Sequence, residues 1–460
     1  MARWRTIVPG LALGAFSLFV TAQGVGDVVG IGETSGKLGA TADLSTAPRV
    51  TIDRPKPTFM LMERDKRVHG LKPFQDLVDA AEPGSVLKPP PGHYAGPVVM
   101  RKPLIIDGGG QVTIDAGDRG TVFSLEADNS VIRNLRLTGS GDNHDTDDSC
   151  IDVRGHHNVV ENLVVDNCLF GIDFKQSSNG IIRGNKVSSK PFDLGVRGDG
   201  IRLWYSNNNL IENNLVTDSR DNVAWYSHRN IYRGNEGRRS RYSIHFMFAN
   251  NNIVENNRFI DNAVGVYFMY MEGGGARNNV ISHATGATGM ALGFKEASDI
   301  FIENNEIIYS AVGVGSDLSP FQPDTTIRFK NNRFAYNGIA VQLTSELGGN
   351  HLDDNIFEGN LTDVFQAGRG GEGKKNQWNG NYYDTYQGFD KDGDGVGDTP
   401  HNDYAYADQI WMEIPPARFF KTSPVLELLD FLERLAPITS PELQLHDPKP
   451  RHLKPQRTAG

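Results

Sequence analysis

The chain has 460 residues, of which 38% are hydrophobic and 22% charged, and its formal net charge is −10. This length allows either several globular domains or one elongated array of repeats. The acidic balance excludes a general affinity for nucleic acid, because binding to the phosphate backbone depends on a basic surface.

The first 22 residues have the pattern of a secretory signal. Arg3 and Arg5 give a positively charged start, an apolar run extends from Ile7 to Val20, and the small residues up to Ala22 fit a cleavage site. The two arginines are not adjacent, so the signal is of the Sec type rather than the twin-arginine type. The sequence therefore predicts export.

A flexible lead-in and a short helix are predicted before the central region. Residues 23–57 are rich in Gly, Ser, Thr and Ala and have no hydrophobic period. An amphipathic helix is predicted from about Lys72 to Ala81, with Phe74, Leu77 and Val78 on one face. We expect this helix to cap the first repeat, because the terminal repeat of an array exposes its hydrophobic cross-section.

One motif recurs ten times in the central region: an apolar residue, two further residues and an asparagine. The asparagines lie 21 to 29 residues apart, a period that suits one coil of short strands and turns. An asparagine amide can hydrogen-bond to the next coil while its backbone takes a left-handed turn. The pattern predicts an all-β fold, a right-handed parallel β-helix of about ten or more coils over residues 58–383. The asparagines are Asn134, Asn162, Asn185, Asn214, Asn235, Asn257, Asn279, Asn305, Asn332 and Asn355.

Alignment of neighbouring coils by 21 to 24 residues predicts which side chains point inward. Two aligned columns are apolar throughout, so we expect them to form the core. They are Ile201, Val223, Ile244, Val266 and Met290, and Leu203, Trp225, Phe246, Phe268 and Leu292.

The alternate positions are predicted to point outward, and several carry soft side chains. His245, Met247, Met269 and Met271 are expected to lie close together on neighbouring coils. Thioethers and imidazole suit Cu(I), whereas Ca²⁺ or Mg²⁺ calls for oxygen. Our hypothesis is that this face receives or passes on copper. The outward positions are Arg202, Ala224, His245, Tyr267 and Ala291, and Trp204, Tyr226, Met247, Met269 and Gly293.

A docking surface without metal is the alternative interpretation of the same face. Exposed Met and aromatic side chains are typical of protein interfaces, and Trp204, Tyr226 and Tyr267 are the docking candidates. Asp173 and Arg202 fall on neighbouring outward positions, where we expect a surface ion pair of small stabilising value.

Residues 384–460 are predicted to form a tail with an acidic turn. The segment resembles a calcium loop, but His401 occupies the position where an EF-hand needs a bidentate carboxylate. A structural calcium site and a plain acidic turn both remain open. The candidate ligands are Asp390, Asp392, Asp394 and Asp398.

An amphipathic helix is predicted in the tail from Ser423 to Ala436. Its apolar face either docks a partner or caps the last coil, and the pattern does not choose between these roles. The apolar residues are Val425, Leu428, Leu429, Leu432 and Leu435. The two cysteines, Cys150 and Cys168, are either bonded to each other or free buried thiols.

Five stretches of the chain resemble the NosD family of periplasmic maturation proteins for nitrous oxide reductase, the copper enzyme of denitrification. They are Leu169–Phe174, Ser188–Ser206, Arg241–Met247, Gly388–Pro400 and Phe420–Leu432. The resemblance implies a periplasmic β-helix, peripheral to the inner membrane, that works with an ABC-type ATPase and a membrane permease. It also implies transient copper, a copper chaperone as partner and nitrous oxide reductase as client.

An enzyme acting on polysaccharides, as a lyase, hydrolase or epimerase, is the main alternative. Such chemistry needs acid and base groups at fixed separation, and the candidate carboxylates are scattered over turns. The sequence has no Gly-His-Gly or Asp-Pro-His-Asp segment of the kind found in such enzymes, so we expect an accessory protein rather than a catalyst. The carboxylates are Asp142, Asp145, Asp147, Asp148 and Asp199.

Overall fold

A computed structural model of the chain describes residues 68–344, 347–366, 375–405, 423–435 and 442–455. The predicted signal, the lead-in and the first residues of the predicted β-helix, 58–67, lie outside the described residues. Two helices are described, α1 (Gln75–Ala80) and α2 (Pro424–Leu435), with a short 3-10 turn at Leu194–Val196.

The central region is a parallel β-helix, as the repeat predicts. Each coil gives one strand to a sheet that we call the front sheet, which has twelve strands in the described part of the chain. All neighbouring strands in it pair in parallel. The strands are Val98–Met100, Phe123–Leu125, Ser149–Val153, Phe170–Lys175, Ile201–Trp204, Asp221–Trp225, Tyr242–Met247, Val264–Met269, Met290–Lys295, Val312–Asp317, Ile339–Leu343 and Thr362–Gln366.

The other strands of each coil form a 25-stranded sheet with two parallel ladders, which share the long strands Ile105–Asp115 and Val131–Thr138. The first ladder contains Val86–Leu87, Val159–Glu161, Ile181–Arg183, Leu210–Glu212, Ile231–Arg233, Asn252–Glu255, Gly274–Arg277, Ile300–Glu303, Ile327–Lys330, Asn350–Asp353 and Gln377–Asn379. The second contains Lys72–Pro73, Gly92–Ala95, Val164–Cys168, Lys186–Ser189, Leu215–Thr217, Glu236–Arg238, Arg258–Ile260, Val280–Ser282, Glu306–Ile308, Arg333–Ala335, Ile356–Glu358 and Tyr382–Tyr383.

A buried row of asparagines runs through the coils, and we call it the asparagine ladder. Each side-chain amide donates to the Oδ1 of the next asparagine at 2.9–3.0 Å, and the backbone N–H donates to the same oxygen. The second amide hydrogen reaches a backbone carbonyl, so the polar groups are satisfied inside the core. The members are Asn185, Asn214, Asn235, Asn257, Asn279, Asn305, Asn332, Asn355 and Asn381.

The left-handed turn residue and the ladder residue are different positions, which corrects one expectation. The residue before the ladder asparagine has positive φ, for example Asn213 at 55° and Gly234 at 63°. Asn134 and Asn162 occupy this turn position, with φ of 56° and 54°, and are not members of the ladder. Both positions accept asparagine for different reasons, so the motif alone did not separate them.

The two ends of the β-helix are covered in different ways. Helix α1 begins three residues later than predicted and buries Val78, while Phe74 just before it is also buried. At the other end, the antiparallel strands His401–Ala405 and Glu442–Asp447 pair with each other. Asp447 accepts hydrogen bonds from the last ladder residue, Asn381. Cys150 and Cys168 form a disulfide with a Cα–Cα distance of 5.5 Å.

Candidate functional site

The front sheet presents two outward columns whose register differs in part from the predicted one. The strand Asp221–Trp225 is displaced by one residue and the strand Met290–Lys295 by two, because turn lengths differ between coils. Hydrophobicity did not reveal this, since small or polar residues such as Ala224 and Asn222 point inward there. The observed columns are Arg202, Val223, His245, Tyr267 and Gly293, and Trp204, Trp225, Met247, Met269 and Lys295.

Several predicted positions therefore need correction. Trp225, expected in the core, is a half-buried member of an outward column, and Ala224, expected outside, is fully buried. Tyr226 lies in the turn after its strand, with φ of 49°. Ala291 is fully buried as well. Lys295, not Gly293, is the neighbour of Met269.

Met247 and Met269 are direct partners on neighbouring strands, and both side chains are half-buried. His245 lies two residues before Met247 on the same strand, so it points to the same side of the sheet. Met271 does not join them: it is 2% exposed and packs in the core. Its strand ends at Met269, and Tyr270 turns the chain with φ of 52°, so the alternation does not continue.

The imidazole of His245 has a carboxylate near one ring nitrogen and no hydrogen-bond partner among the described residues at the other. Its Nδ1 lies 3.7 Å from Oδ2 of Asp221, and its ring stacks on Tyr242 at 4.7 Å between centroids. Its Nε2 is buried and has no hydrogen-bond partner among the described residues. A carboxylate that holds one ring nitrogen while the other is free is the usual arrangement of a metal-binding histidine.

Asp221 supplies a fixed negative charge behind His245. Burial acts to raise the pKa of its carboxyl group, but hydrogen bonds from His245 and Arg241 outweigh burial and hold the pKa below its ordinary value. The Nε of Arg241 donates to Oδ1 of Asp221 at 2.9 Å. Sequence reasoning missed Asp221, because it belongs to the displaced strand, and correct register would have placed it beside Tyr242.

A buried group of charges lies further along the front sheet, at Asp173 and Arg202. Asp173 is fully buried and accepts from Nε and Nη2 of Arg202 at 3.0 and 2.5 Å. Lys175 Nζ lies 3.2 Å from Asp173 and 3.6 Å from Asp152. Burial acts to lower the pKa of Arg202, but the charge of Asp173 outweighs it and raises that pKa. The expected surface ion pair is thus a buried one, because Phe170 also covers the guanidinium at 4.3 Å.

Four aromatic rings stack at the turn that follows the front sheet, and we call them the aromatic stack. Tyr205, Tyr226, Phe248 and Tyr270 all have positive φ between 48° and 52°. Successive ring centroids are 4.9, 5.2 and 4.7 Å apart. Left-handed backbone is costly for bulky residues, and the stacking offsets that cost. Only Tyr226 was predicted, although the constant spacing of 21 or 22 residues would have revealed the other three.

The remaining docking candidates lie beside these rings. Trp204 packs edge-on against Trp225 at 4.8 Å and against Tyr226 at 6.1 Å. Tyr267 contacts His245 edge-on at 6.0 Å, and burial raises its pKa to about 12. Aromatic and thioether groups are therefore continuous from Trp204 to Met269 along the outer side of the front sheet.

Three of the four predicted calcium ligands lie close together. One carboxylate oxygen of each of Asp390, Asp392 and Asp394 lies within 4.8 Å of the others. Asp398 instead accepts the backbone N–H of Lys391 at 2.7 Å. The arrangement is that of a closed acidic turn in which carboxylates also accept backbone N–H groups.

Helix α2 exposes its apolar side chains. Described members of its apolar face are 50–67% exposed, and the side chain of Leu429 lies outside the described residues. Among the described residues, no helix is long and apolar enough to cross a membrane. The exposed residues are Val425, Leu428, Phe431, Leu432 and Leu435.

The carboxylates considered for an enzyme are engaged in ion pairs and turns. Asp142 pairs with the buried Lys190, and Asp148 accepts from Thr146 Oγ1 at 2.7 Å. Asp199 accepts from Arg220 at 3.0 and 3.2 Å. These contacts hold loops and neighbouring coils together.

Residues 187–388 match the sequence profile of the NosD family, described as a periplasmic copper-binding protein. Two curated relatives are named probable ABC transporter binding protein NosD. The Pseudomonas aeruginosa protein is 31% identical over 116 residues, 24% of this chain and 26% of its own length. The Stutzerimonas stutzeri protein is 31% identical over 121 residues, 25% of this chain and 27% of its own length. The chain thus matches about a quarter of each relative's length.

Two of the solved structures with a similar fold are the following. The A-module of the Azotobacter vinelandii mannuronan C-5 epimerase AlgE6 has 18% identity and a TM-score of 0.48, with 68% of this chain and 94% of that chain covered. A family 28 exopolygalacturonase of Yersinia enterocolitica has 12% identity and a TM-score of 0.43, with 70% and 75% covered. These values are too low for the enzymes' chemistry to carry over.

The fold and the outward columns define a parallel β-helix protein with a soft, aromatic face. Residues 187–388 of the chain are similar to the NosD family, and the likeness to the two curated relatives covers about a quarter of the chain.

Proposed function

We propose that this chain is a periplasmic accessory protein that handles copper during maturation of nitrous oxide reductase, acting with an ABC-type transporter. The observation that carries the proposal is the group formed by His245, Met247 and Met269, in which Asp221 lies beside Nδ1 of His245 and Nε2 has no hydrogen-bond partner among the described residues. The name of the matching family and the names of the relatives support the copper and transporter parts.

The ligand types fit Cu(I) and its release. An imidazole nitrogen and two thioethers are soft or borderline ligands without charge of their own, so they favour Cu(I) over hard cations. Met247 and Met269 are half-buried, so the thioether side of the site can be reached from the surface, whereas Nε2 of His245 is buried behind it. A site with few ligands on an open face suits an ion that is passed on rather than kept.

The direct test is a Cu(I) titration in competition with a chromophoric chelator. The triple variant His245→Ala, Met247→Leu and Met269→Leu should bind Cu(I) at least about tenfold more weakly than the wild type. The matched control is Met100→Leu with Met271→Leu, which removes two thioethers that are buried in the core. Equal affinity of the triple variant and the wild type would contradict the proposal.

The function itself is tested in cells. Nitrous oxide reductase made without this chain, or with the triple variant, should contain less copper and have lower activity than enzyme made with the wild type or the control. Full copper loading in all four strains would favour a metal-free docking scaffold. An equal defect in another exported copper enzyme would broaden the client range.

The partners are proposed from the exposed apolar groups. Helix α2 offers a dock for the membrane permease that accompanies the ATPase, and the aromatic stack with Trp204 and Tyr267 offers one for a copper chaperone. Leu428→Asp with Leu432→Asp should abolish co-purification with the permease while Cu(I) affinity stays unchanged. Loss of both properties would contradict separate roles.

A polysaccharide-acting enzyme remains the second candidate because of Asp152. Its Oδ1 is buried without a hydrogen-bond partner among the described residues, and burial raises its pKa. Groups of this kind serve as acids or bases in enzymes. Release or epimerisation of uronic acids from alginate or polygalacturonate by the wild type, but not by Asp152→Asn, would establish this function.

A further inference from the structure

A cavity of about 180 Å³ opens where the aromatic stack ends. It combines aromatic rings with carboxylates and amides, and the thioether of Met271 also lines it. The lining includes Tyr270, Phe321, Glu272, Glu296, Asn250 and Gln322.

The last ring of the stack has one face without a ring partner. Phe248 covers one side of Tyr270 at 4.7 Å with an angle of 14° between the ring planes. On the next coil the same turn position is Glu296, with φ of 45°, so the row of rings stops there. In the described part of the chain no other ring stacks on Tyr270, and Tyr270 is one of the residues that line the cavity.

Two carboxylates from neighbouring coils line the cavity. Glu272 is exposed and Glu296 is half-buried, and neither forms an ion pair within the described ranges. Exposed carboxylates of this chain are commonly paired with arginine on the next coil, as Asp218 is with Arg239. The pair Glu272 and Glu296 thus lacks the cation that similar positions have.

The wall opposite Tyr270 is fixed in place. The hydroxyl of Ser298, which is 1% exposed, accepts the backbone N–H groups of Phe321 and Gln322 at 3.2 and 2.9 Å. The backbone N–H of Glu272 donates to the side-chain oxygen of Asn250 at 3.1 Å. The cavity is therefore formed in advance and a ligand would not have to order it.

We propose that this cavity binds a guanidinium group, presented as an arginine side chain by a protein partner. A planar cation can pack against the ring of Tyr270 in the cavity and donate hydrogen bonds to Glu272 and Glu296. An ammonium group is more strongly hydrated and has no flat face, so lysine fits less well. The proposal does not depend on copper handling.

Binding of small arginine derivatives to the full chain tests the proposal by calorimetry or ligand-detected NMR. N-acetyl-arginine amide should bind with a Kd on the order of 1 mM, as expected for a ligand of this size. N-acetyl-lysine amide and the neutral N-acetyl-citrulline amide should each bind about tenfold more weakly. Free L-arginine should bind no more tightly than the amide, because a partner's arginine lies within a peptide chain.

Matched variants locate the site. Glu272→Gln and Glu296→Gln should each weaken binding by about tenfold, and Tyr270→Leu should do so as well. Glu303→Gln, which removes the same charge at the end of the strand Ile300–Glu303 and outside the cavity lining, should have no effect. Unchanged thermal unfolding of the variants separates loss of binding from loss of fold.

Equal binding of the arginine and citrulline amides would overturn the proposal, as would binding that survives both glutamine substitutions. Tighter binding of free L-arginine than of the amide would overturn the role of a protein partner. Retention of Cu(I) affinity by Glu272→Gln distinguishes this site from the proposed copper site.

Discussion

Asp447 accepts two hydrogen bonds from Asn381, one from the backbone N–H at 3.0 Å and one from the side-chain amide at 2.9 Å. The carboxylate is fully buried and also accepts the backbone N–H of Gly380 at 3.2 Å. A residue from the tail therefore completes the asparagine ladder that the coils build.

The first prediction concerns this cap. Asp447→Ala should lower the free energy of unfolding of the last coil by about 3 kcal/mol, because it leaves buried N–H groups of Asn381 and Gly380 without an acceptor. Asp447→Asn retains one oxygen and should cost less. Hydrogen exchange of residues 375–384, compared with residues 230–260, measures the effect. Equal protection of the last coil in the alanine variant and the wild type would contradict the capping role.

The second prediction concerns the buried ion pair. Arg202→Leu should destabilise the protein by about 3 kcal/mol, because it leaves the charge of Asp173 buried with Lys175 as its remaining cation. The matched control is Arg239→Leu, which breaks an exposed pair with Asp218 and should cost less than about 1 kcal/mol. Urea unfolding measures the loss of stability in both variants. Equal small losses would show that the pair of Asp173 and Arg202 behaves as a surface ion pair.

The third prediction is a pH dependence that arises from His401. Burial against Tyr383, with ring centroids 4.2 Å apart, lowers the pKa of His401 from 6.5 to about 4. The folded state therefore binds fewer protons than the unfolded state between these values. Stability from this residue is complete above about pH 6.5 and is lost as the pH falls toward 4, by about 2 to 3 kcal/mol. Thermal unfolding of His401→Phe should show a smaller loss over this range than the wild type, and parallel curves would contradict the assignment.

The fourth prediction separates orientation from ligation at the copper candidates. Asp221→Asn should weaken Cu(I) binding by about 10- to 100-fold although the residue is not a proposed ligand, because it removes the charge that holds the imidazole of His245. Asp199→Asn is the matched control, since Asp199 is also buried but pairs with Arg220. Equal affinities of the two variants would show that Asp221 does not position the site.

The fold could be predicted from the spacing of the asparagines. Coils of the same cross-section bring equivalent residues to the same place at each turn, so the asparagines recur at the length of one coil. The spacing did not show that Asn134 and Asn162 lie outside the asparagine ladder, because a left-handed turn and a buried amide ladder both favour asparagine. The α1 and α2 helices were predicted to within three residues at either end, since their apolar faces recur with helical spacing.

The site was harder to predict, because outward positions depend on the register of each pair of strands. Turns of unequal length moved Trp225 outward and placed Lys295, not Gly293, beside Met269. Met247 and Met269 were placed correctly because their strands are six residues long and differ by a full coil of 22 residues. Met271 was misplaced because the alternation was extended beyond the end of its strand.

The amides of the asparagine ladder all point in one direction, since each donates to the next coil and accepts from the previous one. Nine parallel amide dipoles add up along the rod, and their positive ends face the last coil. The carboxylate of Asp447 stands at that end and balances them, as an anion does at the start of a helix. Without the charge of Asp447, the positive ends of these dipoles could attract an anion from solution or the sheet edge of another molecule.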